Sequence, residues 1–477
     1  MYKAGLYFHF IGIGGSGMSG LAEILLASGF QVSGSDIKKS AVCSRLMAQG
    51  ARIVFAHSAE SIPGEASLVV YSSAITSDNP EMLEAKRRQL PLVRRAEVLA
   101  ELMRLKYGVG VAGSHGKTTT TSITSAVLEA GALDPTVIIG GQLQHLDTGA
   151  RLGSGKYLVA ETDESDRSFL LMKPTVAVVT NIDDEHMNAY SSRSDLEDSF
   201  RQFIESVPFY GLAILCIDDP VLRKFLGEIS RRTMSYGFSE DADLRAIDIV
   251  ASPGGMEFSV LLLGEDLGRF FLPMLGRHLV QNALAAIAVG LEFGVPIDAV
   301  RGSLCSFGGV KRRLEVVGTA QGVTVMSDYG HHPTEIQASL RALKECFVNP
   351  QRRITAVFQP HRYSRTESCW KELQEAFKDC DRLIITEIYG ANEESIDGIT
   401  GENLTTAVSH YDKTFVPSLA GVWESLEREL VEGDVIVCLG AGSIGGLPAM
   451  LMEKLADHES WKASSNELVG QYANGVG

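Results

Sequence analysis

The sequence predicts an α/β fold in three domains, each built on a mostly parallel sheet. Three observations carry that expectation. The chain has 477 residues, about three times the roughly 150 residues of a common domain. A pattern of short β-rich run, polar turn and helical-period run begins afresh three times, and such alternation implies parallel strands with helices on their faces. In each of the three stretches a buried-strand run ends in a glycine-rich turn: FIGIGGSG from Phe10, VAGSHGKT from Val111 and LGAGSIGG from Leu439.

The first segment, residues 1–106, opens strand, glycine loop, helix: LYFHFIGIGGSGMSGLAEILLASG. Gly12, Gly14 and Gly17 match G-x-G-x-x-G. A second strand, FQVSGSD, ends at Asp36, and a third, LVVYSSAI, runs into the turn Ser77-Asp78-Asn79-Pro80. The glycine pattern certifies a tight turn that lets a backbone approach a diphosphate. An acidic residue at the end of the next strand is where dinucleotide folds hold a ribose. Three readings stay open: a nicotinamide dinucleotide, another nucleotide diphosphate, or a structural turn.

The second segment, residues 107–313, opens with the strand YGVGVAG and the loop Gly113-Ser114-His115-Gly116-Lys117-Thr118, followed by Thr119. The common phosphate-loop pattern has a glycine five residues before the Gly of GKT; that position here is Val111. The shorter loop keeps the chemistry. Backbone N–H groups of a glycine turn and the following helix N-terminus make an anion site. Lys117 supplies a point charge for outer phosphates, Thr118 a hydroxyl for Mg²⁺, and His115 is either a supporting group or a spectator. Glu161, Asp163, Glu164 and Asp166 follow the strand YLVA. They are either a solvated acidic turn or, at the carboxyl end of a strand, Mg²⁺ ligands, with Glu161 favoured. The next strand ends in TNIDDEH, where His186 is a cation ligand, a phosphate contact or a structural histidine. Strand-like pieces from about 235 to 273 form a β excursion, and GRHLVQNALAAIAVGLEFG closes the segment as a helix.

The third segment, residues 314–477, repeats the alternation. SDYGHHP places Asp328, Tyr329, His331 and His332 at one strand end. HRYSRT is expected to be a basic loop at another, with Arg362 and Arg365 presenting guanidinium forks suited to carboxylates or phosphates. Two such loops on one sheet edge suggest a pocket. Gly440, Gly442 and Gly445 repeat G-x-G-x-x-G, here favoured as a structural turn. The last ~20 residues, polar and rich in Ser, Asn and Gly, are read as a mobile tail.

Composition narrows the class. A hydrophobic content of 45% and a net charge of −16 describe an ordinary globular chain that neither nucleic acid nor an anionic membrane would attract. The seven scattered cysteines form no CxxC pair, which points to reduced thiols in the cytoplasm. No apolar run approaches the ~18 residues of a membrane span.

GSHGKTTTTS, AETDESDRSFL, TNIDDEHMNAY, GRHLVQNALAA, GGVKRRLE, DYGHHPTEI and FQPHRYSRT together resemble the Mur ligases, the ATP-dependent amide-forming enzymes of peptidoglycan precursor synthesis. The resemblance covers all but the last ~20 residues. It implies an N-terminal Rossmann-like domain for a UDP-sugar, a central P-loop ATPase-like domain, and a C-terminal Rossmann-like domain for the incoming amino acid. It implies UDP-N-acetylmuramate, ATP and L-alanine as substrates and Mg²⁺ as cofactor, in a monomer or homodimer. Lys117 would contact the β- and γ-phosphates; Thr118 and Glu161, helped by His186, would hold metal. Gly113 to Thr119, His278, Asn282, Arg312 and Asp328 would serve the nucleotide. Gly14, Gly15, Ser16, Gly17, Asp36, Ser72 and Ser73 would face the UDP-sugar. Tyr329, His331, Arg362 and Arg365 would frame the amino acid, with His331 as candidate base. Ser114 stands where the family pattern GTHGKT has Thr, keeping the hydroxyl. Several relatives carry a carbamylated lysine on the helix after the DDEH-like motif; SDLEDSFRQFIESV has none, as in the alanine-adding branch. A sister branch that attaches a recycled tripeptide, L-Ala-γ-D-Glu-meso-diaminopimelate, shares nearly every motif. A nicotinamide dehydrogenase would leave GSHGKT unexplained, and a non-catalytic nucleotide switch would leave the basic loops superfluous.

Overall fold

The computed structural model describes residues 5–72, 74–139, 149–185, 187–252, 254–348 and 351–457. The architecture is three α/β domains with mostly parallel sheets. The chain separates into two compact units, one made of Met1–Val250, Glu257–Pro273 and His278–Gly308, the other of Ala251–Met256, Met274–Arg277 and Gly309–Gly477.

The first unit carries two sheets. The N-terminal sheet holds β1 (Tyr7–Ile11), β2 (Gln31–Ser35), β3 (Arg52–Val54), β4 (Leu68–Tyr71) and β5 (Leu92–Arg94), in the order β3-β2-β1-β4-β5. All its neighbours pair in parallel. β1 is buried along its whole length, as a strand covered on both faces must be. Strand order reverses between β1 and β4, so a crevice opens at their carboxyl ends. The glycine turn after β1 and Ser72 after β4 flank that crevice. A buried polar knot lies beneath: the Glu81 carboxylate takes His9 at 2.7 Å, His57 at 2.6 Å and Ser35 Oγ at 2.7 Å.

The central sheet follows with β6 (Tyr107–Ala112), β7 (Thr136–Ile138), β8 (Ala150–Arg151), β9 (Tyr157–Glu161), β10 (Val176–Val179), β11 (Leu212–Cys216), β12 (Thr233–Gly237), β13 (Leu244–Ser252), β14 (Gly255–Leu262) and β15 (Glu265–Leu272). Its order is β15-β14-β13-β12-β11-β10-β6-β9-β7-β8. β6 lies between β9 and β10, parallel to both. The loops after these three strands therefore emerge side by side at one edge. β12 to β15 are the expected β excursion.

The second unit holds β16 (Glu315–Ala320), β17 (Val323–Asp328), β18 (Ile354–Phe358), β19 (Arg382–Ile385), β20 (Lys413–Phe415) and β21 (Val435–Leu439), in the order β16-β17-β21-β18-β19-β20. Only β16 runs antiparallel to its neighbour among these pairings. The segment expected to be a basic loop is half helix. Tyr363–Ser368 forms a short helix that carries Arg365, while Arg362 precedes it as N-cap. Among the described residues no helix is long and apolar enough to cross a membrane.

Candidate functional site

The candidate phosphate loop is shaped by what presses on its glycines. Gly113 sits at φ +132°, and a Cβ there would fall 2.0 Å from Thr180 Oγ1. Gly116 caps the helix Lys117–Ala130 at φ +83°, and a Cβ would meet Asn282 Oδ1 at 2.7 Å. Glycine is required at both points, because L side chains avoid this backbone region and no space exists. The second contact also brings Asn282, on the helix Arg277–Glu292, against the loop. His278 lies one turn earlier on that helix, the spacing that shares a face.

The loop is tied to the segment after β10. Ser114 N–H donates to Asn181 O at 3.1 Å, and Asp183 N–H donates to Ser114 Oγ at 2.8 Å. His115 N–H donates to Asn181 Oδ1 at 2.9 Å, and its ring Nε2 pairs with Asp183 at 2.9 Å. His115 is thus a supporting group, clamped between loop and acidic segment. Thr119 is buried in the first helical turn.

Lys117 does not project into solvent. Its Nζ donates to Gly113 O at 2.6 Å, Ser114 O at 3.1 Å and Glu164 Oε1 at 2.7 Å. Burial pushes the Glu164 carboxyl up to about 7, against the pull of the Lys117 ammonium. Burial works to lower Lys117, but Glu164, Glu161 and Glu185 outweigh it and hold the amine above its ordinary value. Thr118 Oγ1 donates to Glu161 Oε2 at 3.0 Å. A hydroxyl and a carboxylate converging beside a phosphate loop are hard oxygen donors, the set Mg²⁺ takes together with substrate phosphates. The residues present therefore fit that ion. His186 lies outside the described residues.

In the N-terminal domain, Gly14 N–H donates to Asp36 Oδ2 at 2.9 Å and Lys38 N–H to Asp36 Oδ1 at 3.0 Å. Asp36 shapes the glycine turn itself. Gly15 caps the helix Ser16–Ala27 without any side-chain cap. Gly17 faces a residue the motif reading passed over: a Cβ there would lie 2.7 Å from Arg95 Nη1. The same guanidinium stands 3.7 Å from Asp163, in the acidic segment after β9. Ser72 is half-buried past β4, and Ser73 lies outside the described residues.

The second unit gathers the other predicted residues. Asp328 is buried, and accepts from Leu314 N–H at 2.8 Å, Gly330 N–H at 2.8 Å and Ser339 Oγ at 3.2 Å. It organises the strand end. The guanidinium of Arg312 lies 4.9 Å and that of Arg313 5.2 Å from the Tyr329 ring centre. His331 Nδ1 is 3.0 Å from Tyr329 O. A carbonyl only accepts, so Nδ1 carries the proton and Nε2 is the basic nitrogen. His331 also stands edge-on to His361, centroids 6.0 Å apart, and His361 stacks on Tyr389 at 5.7 Å. Burial first, then the charges of His331, Arg365 and Arg362, push His361 down to about 4, so it is neutral. Arg365 Nη1 donates to His361 Nδ1 at 3.3 Å. Arg362 has φ +69° and ψ 137°, a backbone state costly for a side-chain-bearing residue. His361, Tyr389 and Arg95 are what motif reading missed. The stretch HRYSRT contains His361, but only the tertiary fold brings His331 and Tyr389 to it.

The second glycine repeat does structural work. A Cβ at Gly440 would meet Gln359 O at 2.7 Å, one at Gly442 Gln359 Oε1 at 2.8 Å, and one at Gly445 Arg312 Cζ at 2.8 Å.

Comparison with known proteins gives one answer along most of the chain. Residues 7–107 match the Mur ligase family, catalytic domain; 111–290 the Mur ligase middle domain; 312–442 the Mur ligase, glutamate ligase domain. A UDP-N-acetylmuramate–L-alanine ligase of Geobacter sp. (strain M21) is 48% identical over 456 residues, covering 95% of this chain and 98% of that protein. Its namesake from Sorangium cellulosum (strain So ce56) is 48% identical over 460 residues, covering 95% and 98%. The crystal structure of UDP-N-acetylmuramate-alanine ligase from Thermotoga maritima aligns with a TM-score of 0.79 at 28% identity, over 94% of this chain and 99% of that one. A murein peptide ligase from Psychrobacter arcticus 273-4 shares the fold, with a TM-score of 0.70 at 23% identity over 95% and 99%. With three domain families matched in order and about half the residues shared with full-length relatives, the chain belongs to the Mur ligase family.

Proposed function

We propose that this chain is an ATP-dependent ligase joining L-alanine to the carboxylate of UDP-N-acetylmuramate through an acyl phosphate, giving ADP and phosphate. The observation that carries the reading is 48% identity over 95% of the chain to proteins named for that reaction. The tripeptide-attaching sister branch is the second reading; two solved structures of such ligases stand at 23% identity over 95% of this chain and 29% over 65%. Domain boundaries of 1–106, 107–313 and 314–477 are supported by where each sheet begins and ends. Seven free cysteines support a reducing cytoplasmic setting.

A carboxylate does not acylate an amine in neutral water, so it is first activated. The muramoyl carboxylate attacks the γ-phosphorus of ATP, forming the acyl phosphate and releasing ADP. Such a transfer depends on positioning and charge neutralisation more than on covalent chemistry. Lys117 supplies charge at the outer phosphates. Thr118 and Glu161 would hold Mg²⁺, which supplies further neutralisation of phosphate charge. Backbone N–H groups of Gly113 to Gly116 cradle the nucleotide, with Asn282 and His278 beside it. The diphosphate of the UDP-sugar would lie at Gly14 to Gly17. In the second step the amine nitrogen attacks the acyl carbon, phosphate leaves with the C–O bond electrons, and the amine proton goes to His331 Nε2. Arg362 and Arg365 take the amino acid's carboxylate. Neutral His361 adds no charge there, so the two guanidiniums set the polarity.

Phosphate release tests this with ATP, Mg²⁺ and UDP-N-acetylmuramate, adding L-alanine in one tube and the tripeptide in another. Turnover with alanine is expected. Turnover with the tripeptide alone would transfer the assignment to the sister branch, and none in either would remove the substrate assignment.

A further inference from the structure

An ammonium has three N–H donors and no acceptor. Lys117 spends one on each of Gly113 O, Ser114 O and Glu164 Oε1. A phosphate oxygen therefore reaches Nζ only by taking one of these places. The two carbonyls belong to a loop fixed by Thr180 against Gly113 and by Asn181 holding Ser114. Glu164 is a side chain with rotatable bonds, and the only one of the three with the sign of a phosphate. Its side chain is 2% exposed, and its Oε2 is buried without a hydrogen-bond partner among the described residues. A carboxylate at rest in its site has both oxygens bonded; this one is held by half. Charges around the pair are mostly of its own sign: Asp163 beside Glu164, and Glu161 and Glu185 around Lys117. The Tyr190 hydroxyl donates to the Glu164 backbone carbonyl at 2.5 Å and anchors the main chain, leaving the carboxylate as the movable part.

We propose that Glu164 is the resident anion of the phosphate loop, a positioning residue that holds Lys117 when no phosphate is bound and yields that place to the terminal oxygens of the triphosphate. It acts through Lys117 and tunes nucleotide affinity: the ion pair must open before the loop is filled. The inference rests on reading Gly113 to Thr118 as the ATP site.

Its test compares wild type with Glu164→Gln, titrated with the Mg²⁺ complex of a non-hydrolysable ATP analogue and, separately, with AMP. At pH 8, where Glu164 is charged, the variant is expected to bind the analogue roughly tenfold more tightly, about the worth of one lost charge-assisted hydrogen bond. AMP, with no outer phosphate to reach Lys117, is expected to bind both alike. A merely structural glutamate would change the two ligands together. Equal or weaker binding of the analogue by a folded Glu164→Gln would overturn the proposal. Should that variant not fold, Glu164→Asp, which keeps the charge but shortens its reach, takes its place and is again expected to bind the analogue more tightly. If wild type and variant bind AMP but neither binds the analogue, the ATP reading fails, and the inference with it.

Discussion

The proposed phosphate loop and the proposed carboxylate-binding segment of the C-terminal domain would both take anions, and they are built in opposite ways. In the first, the cation is already matched: Lys117 meets two carbonyls and Glu164, and its neighbours Thr118 and His115 meet Glu161 and Asp183. In the second, Arg362 is exposed on a strained backbone, and the neighbouring His361 is a neutral ring. The difference follows from the ligand each would take. A triphosphate brings several charges and its own metal, so a pre-matched lysine keeps the empty loop from holding unpaired buried charge. An amino-acid carboxylate would bring one charge, which a guanidinium fork would take in two-point geometry.

The largest break in this comparison is Lys117→Met. It is expected to cut phosphate release by about 10³-fold or more, the scale of losing a charge aimed at the transferring phosphoryl. It would also leave Glu164 buried and unmatched. His331→Asn comes next, with amide formation slowed by about 10²-fold and acyl-phosphate formation retained; single-turnover trapping of the intermediate separates the steps. Loss of the first step would remove His331 from its assigned role.

Arg362 sharpens the contrast in a different way. Arg362→Ala and Arg362→Gly both remove the guanidinium, and each is expected to raise the KM for the amino acid by roughly tenfold or more with the KM for ATP unchanged. Only glycine adopts φ +69° without strain, so the glycine variant is expected to melt higher, by on the order of 1 kcal/mol in stability. Equal melting of the two would remove strain from the account.

The smallest effect concerns pH. The Glu164 carboxyl is pushed up to about 7. Below that pH it is protonated and competes weakly for Lys117; above it the charged form competes fully. Binding of the ATP analogue to wild type is therefore expected to weaken as pH rises through 7, by no more than about tenfold between pH 6 and 8. Subtracting the profile of Glu164→Gln removes the nucleotide's own titration. A difference profile that is flat, or rises with pH, would contradict the exchange.

Much of this was legible in the chain itself. The shortened loop GSHGKT was readable as a glycine turn opening a helix, and the strand-end placement of Glu161 put it beside Thr118, where the structure has it. The helical spacing of His278 and Asn282 was also readable. Less legible was the division of labour among four carboxylates in six residues. Glu161 meets Thr118 while Glu164 meets Lys117, because the chain turns sharply after β9 and a shift of three residues swings a side chain from hydroxyl to ammonium. Arg95 was hidden for a similar reason. It sits 78 residues from Gly17 in sequence, and only helix packing brings the two together.

The sequence by itself determined the three βα alternations, the turns that need glycine, and the kinds of donors each strand end carries. Those are local properties, set by side-chain periodicity and by backbone sterics over a few residues. Tertiary structure alone decided which donor meets which acceptor. It closed Lys117 on Glu164, laid Arg95 across Gly17, and placed His361 between His331 and Tyr389. Such pairings depend on strand order and on the angle at which each loop leaves its sheet, and the sum of many distant packing contacts sets both.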